Sequence, residues 1–496
     1  MTQTSSTRPP SRRFRLLAVP ALAIAAAFAL PSAASAAAPN CVDTGTTEQV
    51  CKYRVPITVK GYEVLQTTSA LSGVNRAPQF AGHVTKMETD IVDGNGAPVP
   101  ISRLMLHHIV FINAAEPDNT CATVTGWDSQ PGGLLRERFF AAGEERAKIS
   151  MPSGYGYKTN SSNLWAMLYM VMNHRQATDS AFIEYTVTVD TDPAIKDVTP
   201  YWLDINDCHV DPYYNVPGTG KPGSLQTRYR DLVMPASGRI VAGIGHVHGG
   251  AQKLTLTKPS CANQQLAESI PTWGNGDHPF YNVRPILHEP GPTHMTAFQS
   301  GSGIPVRQGE TVRLNAIYDN SRPHTRVMGI EQIYVDHSAP VTQNCAPLPS
   351  DVLTLGPTLG GRAASPAFTV PLTGLDSAGN AVTLKKPAGK LRKVAGGSVL
   401  GVGDRFFKQP NVRIYPKKGL RWQFDGNELH NITLANGPAG IASDNLDRGR
   451  RFWAHFPKKG TYNFFCSLHP VQMHERVVVK SNKKKKKKQD KRKQPK

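Results

Sequence analysis

The sequence predicts an all-β chain made of about three domains in succession, and three observations predict it. Helical periodicity is scarce along the 496 residues. Short alternating or β-branched runs recur instead between Gly, Pro and Asn, the pattern of strands and turns. The length also exceeds what one hydrophobic core organises.

The first 36 residues read as an export signal. Arg8, Arg12, Arg13 and Arg15 form a basic start, Leu16 to Leu30 an apolar run, and Ala34-Ser35-Ala36 a small-residue cleavage site. No later run is long and apolar enough to span a bilayer, so a secreted protein, extracellular or periplasmic, is expected. The formal charge of +20 comes mostly from the two ends. The leader's four arginines and the tail from Lys483 to Lys496, net +9, leave +7 on the rest. The tail is a like-charge block, expected to be disordered. It reads either as a solubilising extension or as a contact to an anionic cell surface. Export and the absence of interleaved aromatics argue against nucleic acid.

Seven cysteines are present: Cys41, Cys51, Cys121, Cys208, Cys261, Cys345 and Cys466. Six can pair in an oxidising compartment. Cys261 with Cys345 is the expected later pair, and the connectivity of the first four stays open.

The first β region starts at Tyr53 to Leu65. Its next informative strand is Met105 to Ile112, carrying His107 and His108. Neighbours on a regular strand face opposite ways, so a shared metal there requires a twist, a bulge or an unusual choice of ring nitrogen. An apolar, Met-rich run from Leu164 ends at Asn173 and His174. The alternation of Phe182 to Val189 is a clear strand. Alone, His174 reads as a core or turn histidine. Residues 211–223 are rich in Pro, Gly and Asn, a domain boundary, giving regions 53–212 and 213–345. In the second region Arg239 to Ala242 leads into Gly243-Ile244-Gly245-His246-Val247-His248-Gly249-Gly250. Strand side chains repeat every two residues, so His246 and His248 leave one face together, half of a metal site. Strands at Thr311 to Tyr318 and Val327 to Val335 follow, the latter carrying Met328. A linker at 346–364 and a third β region at 365–480 complete the chain before the tail at 481–496.

The third region holds the strongest signal. Cys466-x2-His469-x3-Met473 follows a Gly-Thr-Tyr-x-Phe-x-Cys strand, with His430-Asn431 about 36 residues upstream. A thiolate, two imidazoles and a weak axial thioether suit type 1 copper. This gives the odd cysteine a role as a ligand. The stretch resembles the cupredoxin family, with His430, Cys466, His469 and Met473 on its ligand positions, and implies a Greek-key β-sandwich. Phe465 and Ser467 flank Cys466 where multicopper oxidases carry histidines, so a trinuclear oxygen-reducing cluster is not expected.

The order His107-His108, His174, His246-x-His248, Met328 is similar to the copper type II, ascorbate-dependent monooxygenases, the peptidylglycine α-hydroxylating and dopamine β-monooxygenase family, over about residues 53–345. The resemblance implies two tandem jelly-roll β-sandwiches. It implies an electron-transfer copper on His107, His108 and His174, and a catalytic, oxygen-binding copper on His246, His248 and Met328. Two departures stand out. The peptide-amidating enzymes carry an arginine where this chain has Ile244 and a tyrosine where it has Gln332. Those groups grip a substrate carboxylate, so a C-terminal glycine peptide is not the expected substrate. The expectation is a copper monooxygenase with three ions, one type 1 and two type 2-like. It hydroxylates a C–H bond of a small organic substrate with O2, taking electrons from ascorbate or another donor through the type 1 domain. The alternative is a copper-binding electron-transfer protein without catalysis. His288, His294 and His324 stand as substitute ligands or cleft residues. Asn173 and Asn431, beside His174 and His430, are candidates to orient those ligands.

Overall fold

A computed structural model describes residues 40–480, apart from 72–75, 122–134, 210, 357–360, 362 and 417. The expected export signal and the lysine-rich tail lie outside the described residues. Those residues are almost entirely strand, with one short helix at Pro279–Asn282. No helix among them is long and apolar enough to cross a membrane. The expected all-β class with several sandwiches is what the chain adopts.

In the first sandwich, one sheet runs in the order Asn40–Asp43, Glu48–Val59, Asp179–Asp190, Gly82–Val92, Tyr155–Thr159 and Lys196–Asp197, with Ile149–Ser150 beside Gly82–Val92. The other runs Val64–Leu71, Trp165–Asn173, Leu104–Pro117, Arg136–Gly143. Alternation fills the space between them. Tyr53, Val55, Ile57 and Val59 are buried, and Tyr53 stacks on Tyr185 with ring centroids 5.3 Å apart.

The second sandwich pairs a six-stranded sheet with a four-stranded one. The larger sheet runs Thr199–Asp204, His324–Asp336, Gly238–Val247, Ala297–Val306, Leu353–Leu355, with Tyr213–Val216 added to His324–Asp336. The smaller runs Leu225–Val233, Thr311–Asp319, Ala251–Lys258, Gln264–Ser269. Its first strand, Thr199–Asp204, lies ahead of the boundary expected near 212/213. The Pro- and Gly-rich stretch there is an excursion between two strands of one sheet. Likewise Leu353–Leu355, inside the expected linker, pairs with Ala297–Gln299. Composition marks where the chain turns, not where a core ends.

The third region pairs a five-stranded sheet, containing the antiparallel Gly460–Phe465 and His474–Val479, with a four-stranded one around the buried Trp422. Three disulfides join Cys41–Cys51, Cys121–Cys208 and Cys261–Cys345, leaving Cys466 as a buried free thiol.

One sheet face docks the second sandwich onto the first. A register shift between Ile240 and Ala242 bends the Gly238–Val247 strand. Ile240 packs into its own core, whereas Ala242 and Ile244 join the core of the first sandwich. From the neighbouring strand, Gln332 Nε2 donates to Arg138 O at 2.8 Å and Tyr334 OH to Phe139 O at 2.7 Å. By strand parity His246 and Met328 lie on this same interface face.

Candidate metal centres

The Leu104–Pro117 strand has a register shift between Leu106 and His108. The irregularity centres on His107 and does what regular alternation forbids. Both histidines turn to one side, with Nδ1 of His107 3.0 Å from Nδ1 of His108. Two nitrogens on one tetrahedral metal at ordinary bond lengths lie about 3.3 Å apart, so this spacing is that of a chelating pair.

His246 and His248 project together as parity requires, with ring centroids 5.2 Å apart. The glycines around them are needed for close packing. A Cβ at Gly245 would lie 2.7 Å from Ser269 Cβ and 2.8 Å from a Glu331 oxygen, and one at Gly143 would lie 2.6 Å from the His246 ring. Gly250 has φ +91°, and a Cβ there would sit 2.0 Å from the His324 ring.

The histidines expected at two separate coppers adjoin one another. His107 lies 5.2 Å, centroid to centroid, from both His108 and His248. The sheet interface brings the two strands together at this point. Met328 is buried and lines one cavity with His107, His108 and His248. His174, just beyond the Trp165–Asn173 strand, has no such ring contact with His107 or His108. Its electrostatic neighbour is His288.

Three of these rings share a pattern. His174 Nδ1 donates to Pro285 O at 2.8 Å and His248 Nδ1 to Arg326 O at 2.8 Å. His246 Nδ1 donates to the Glu145 carboxylate at 3.1 Å. In all three, Nε2 is buried without a hydrogen-bond partner. A ring held at one nitrogen by a carbonyl or carboxylate, with a buried lone pair on the other, is the signature of a metal-ligating histidine. Burial also favours the neutral, metal-binding form. It lowers the pKa of His108 and of His174 to about 4 and pushes His107 and His248 well down, helped for the last two by neighbouring imidazoles. For His246 burial pulls the same way, but the Glu145 carboxylate outweighs it and the net shift is upward.

Several residues at this site escaped the sequence reading. Glu144 and Glu145 are buried just past the Arg136–Gly143 strand, an acidic pair after Ala-Ala-Gly in a stretch without histidines. Tyr318 OH accepts from His248 N at 2.9 Å and donates to Met328 O at 2.5 Å. Neither role leaves a signal in local sequence. Asn173 bonds to Val59 O, Ala177 O and Arg175 N, so it fixes the turn that carries His174 and does not touch the ring.

In the third region, Cys466, His469 and Met473 share the connection between Gly460–Phe465 and His474–Val479, and His430 lies just ahead of Thr433–Asn436, the strand paired with Gly460–Phe465. His430 Nδ1 lies 3.2 Å from His469 Nδ1, which lies 3.7 Å from Cys466 Sγ. The other nitrogens face carboxylates: His430 Nε2 to Asp404 at 3.2 Å and His469 Nε2 to Glu428 at 3.1 Å. Asn431 N donates to Cys466 Sγ at 3.3 Å, while its side chain holds Ser467 through N and Oγ. Met473 is fully buried, and its carbonyl accepts from Cys466 N. One soft thiol, two imidazoles with convergent Nδ1 atoms and a buried thioether on the same loop fit copper.

The cavity beside the histidines measures about 210 Å³ and is walled by all three regions. Met172, Met328, Phe368 and Leu434 supply apolar surface, and Phe465 and Ser467, the neighbours of Cys466, reach it too. Its two arginines are matched by carboxylates: Arg322 by Glu289 at 2.5 Å, Arg326 by Asp211 at 2.6 Å. Ile244 and Gln332 pair across their strands and are spent on the sandwich interface, so neither offers charge to the cavity. The third region is tied down nearby. Tyr213 OH donates to Ser443 O at 2.5 Å, Thr325 Oγ1 to Leu434 O at 2.9 Å and Arg326 Nη1 to Ser443 O at 3.0 Å.

The family described as stress up-regulated Nod 19 matches residues 156–338. The probable copper-dependent oxygenase M1 of a Phoma species is 25% identical over 246 residues, 48% of this chain and 57% of that protein. The probable copper-dependent oxygenase clz3 of Cochliobolus lunatus is 24% identical over 230 residues, 44% of this chain and 65% of that protein. The chain thus spans less than two thirds of the length of these curated relatives. Among solved structures, a purple cupredoxin from Nitrosopumilus maritimus is 24% identical, covering 17% of this chain and 99% of its own, with a TM-score of 0.16. A reduced amicyanin variant is 23% identical over 17% of this chain and 83% of its own, also at 0.16. Scores that low carry no argument. The family match takes in His174, His246, His248 and Met328, and leaves His107, His108 and the Cys466 loop outside it.

Proposed function

We propose that this chain is a secreted copper-dependent monooxygenase that hydroxylates a C–H bond of a small organic substrate. His107, His108 and His174 hold one copper, His246, His248 and Met328 a second where O2 binds, and His430, Cys466, His469 and Met473 a type 1 copper. When bound, the metals supply one-electron redox steps and an open position for O2. One oxygen atom enters the substrate and the other leaves as water. That requires two electrons and two protons from a reductant such as ascorbate. The chain's own part is to keep the imidazoles neutral and aimed, to wall the reaction in an apolar cavity, and to hold the Cys466 loop against that cavity. The arginines there are already matched by carboxylates, which favours an uncharged substrate.

The observation that carries this reading is convergence. Imidazoles pinned at one nitrogen and buried at the other meet a cavity that the neighbours of Cys466 also line. The similarity to proteins named probable copper-dependent oxygenases supports it. A copper-binding electron-transfer protein accounts for the ligands but leaves the cavity without a role. Copper analysis with visible and EPR spectra should find three ions, one of them blue. A single copper, at Cys466 only, would end the monooxygenase reading. Oxygen uptake coupled to reductant and substrate should vanish in Met328→Ile. In Cys466→Ala, reduction of the other two coppers should slow, and an undiminished rate would remove the type 1 site from the electron route. The three disulfides are compatible with export, which signal cleavage in a secreting host would test.

A further inference from the structure

The segment from Arg284 to Gly291 leaves the second sandwich and crosses the histidine cluster. Leu287 anchors it, buried with Tyr62 of the first sandwich and Val471 of the third. Pro285 O on this segment accepts from His174 Nδ1. Three residues on, His288 enters the cluster with its ring centroid 4.9 Å from that of His107. Its Nε2 donates to Glu144 Oε1 at 2.5 Å, and its Nδ1 is buried with no hydrogen-bond partner. Glu144 is fixed in turn by Gly291 N at 2.9 Å, and its Oε1 lies 3.7 Å from His107 Nε2.

This is the pattern already seen at His174, His246 and His248: one ring nitrogen held by an acceptor, the other buried with a free lone pair. A buried polar atom without a partner is costly, so its recurrence in one cluster points to something that takes the lone pair. His324 also has a pinned Nδ1 and an orphaned Nε2. It lies against Gly250 and, unlike its neighbours Pro323 and Thr325, does not line the cavity. His288 has both the contact and the position.

We propose that His288 is a further ligand, through Nδ1, of the copper held by His107, His108 and His174, with Glu144 as the positioning residue that fixes its ring. The assignment rests on the reading of those three histidines as a copper site. It gives that site a fourth imidazole, supplied by the second sandwich. The electron-transfer copper would then be held jointly by both sandwiches, and its assembly would depend on their docking.

The test uses the full chain stripped of metal, titrated anaerobically with Cu(I) against a chromogenic chelator and then oxidised for EPR. His288→Gln keeps an amide nitrogen where Nε2 meets Glu144 and removes the ring Nδ1. It should weaken one central site about tenfold or more and change the nitrogen couplings of that copper, while the blue band of the Cys466 site is unchanged. Parent-like affinity and couplings in His288→Gln would overturn the assignment. Should that variant fold poorly, judged by loss of the blue band, pulsed EPR of the unaltered protein decides. Four coordinating imidazoles on one central copper support the proposal, and no more than three on either overturns it. If the parent binds copper at Cys466 alone, both this assignment and the oxygenase reading fall. Loss confined to His288 leaves the latter standing.

Discussion

Tyr318 joins two candidate ligands through one hydroxyl, and its removal is a sharp test of how the proposed oxygen-binding site is held. The side chain is fully buried. Its hydroxyl accepts from the backbone N–H of His248 and donates to the carbonyl of Met328. Burial pushes the phenol's pKa well above its ordinary value, so it stays protonated and able to donate. Tyr318→Phe keeps the ring and opens little space, so the cavity penalty is small. It leaves one buried donor and one buried acceptor unpaired, each costing about 1–3 kcal/mol. Together these cost about 2–6 kcal/mol, partly offset because the hydroxyl no longer has to be dehydrated. Denaturant unfolding of the metal-free protein should show it in the transition of the second sandwich. Cu(I) affinity at His246, His248 and Met328 should drop about tenfold, in the range for lost orienting partners. A change under about 0.5 kcal/mol with unaltered affinity would mean that the hydroxyl does not brace the two ligands, and the reasoning would fail.

Other outcomes follow from the same contacts. Glu331 is buried beneath Gly245, with Ser269 Oγ donating to one oxygen at 2.9 Å and the other oxygen unpartnered. Burial raises its carboxyl from 4.5 to about 8, so the native state keeps a proton that the unfolded chain releases. Stability should fall as pH rises between those values, by at most about 1.4 kcal/mol per unit. Glu331→Gln should flatten that slope in thermal melts taken across the window, and an unchanged slope would place the carboxyl's titration elsewhere. The Cys261–Cys345 bridge closes a separation of 84 residues, and chain entropy assigns such a loop about 4–5 kcal/mol. The double serine variant should unfold at clearly lower denaturant. A midpoint equal to the parent's would show that the unfolded chain gains little freedom from losing it.

How much of this was legible beforehand differs by element. The strands around His107, His246 and Met328 were readable because alternation and β-branching are local. The parity of His246 and His248 was readable for the same reason. The need for an irregularity at His107-His108 was legible too, since regular alternation forbids a shared site. The merging of the histidines into one cluster was not. It depends on the register shift after Ile240, which turns one face of the strand toward the first sandwich. Glu144 and Glu145 act through contacts spanning more than 100 residues, and Tyr318 reaches His248 across 70, so nothing near them in sequence announces those partners. Composition also misplaced the start of the second sandwich, because Pro and Gly report turns within a sheet as readily as junctions between cores.

The shared interface bears on how electrons move. Along one sheet face, Ile244, Gln332 and Tyr334 act as adhesive, through apolar burial and two hydrogen bonds to the Arg138–Phe139 backbone. A little farther along the same face come His246 and His248, with Met328 on the neighbouring strand. His246 is itself braced by Glu145 of the first sandwich. The contacts that glue the sandwiches therefore also fix the distance between their histidines. With His107 and His248 rings 5.2 Å apart, the residues that would hold the two central coppers adjoin one another. Electron passage between them then needs no domain motion, and the substrate is left to the cavity side, facing the Cys466 loop. Two oxidised coppers bound to adjoining ligand sets would interact magnetically. The fully oxidised protein should show a central-site EPR signal that is broadened, or weaker than its copper content requires. Diluting the centres to one copper per chain should restore a normal signal. Two sharp, full-intensity, independent signals at full loading would mean that the ions sit far apart despite the ring contact. The interface would then be an adhesive surface only, and electrons would have to cross by another route.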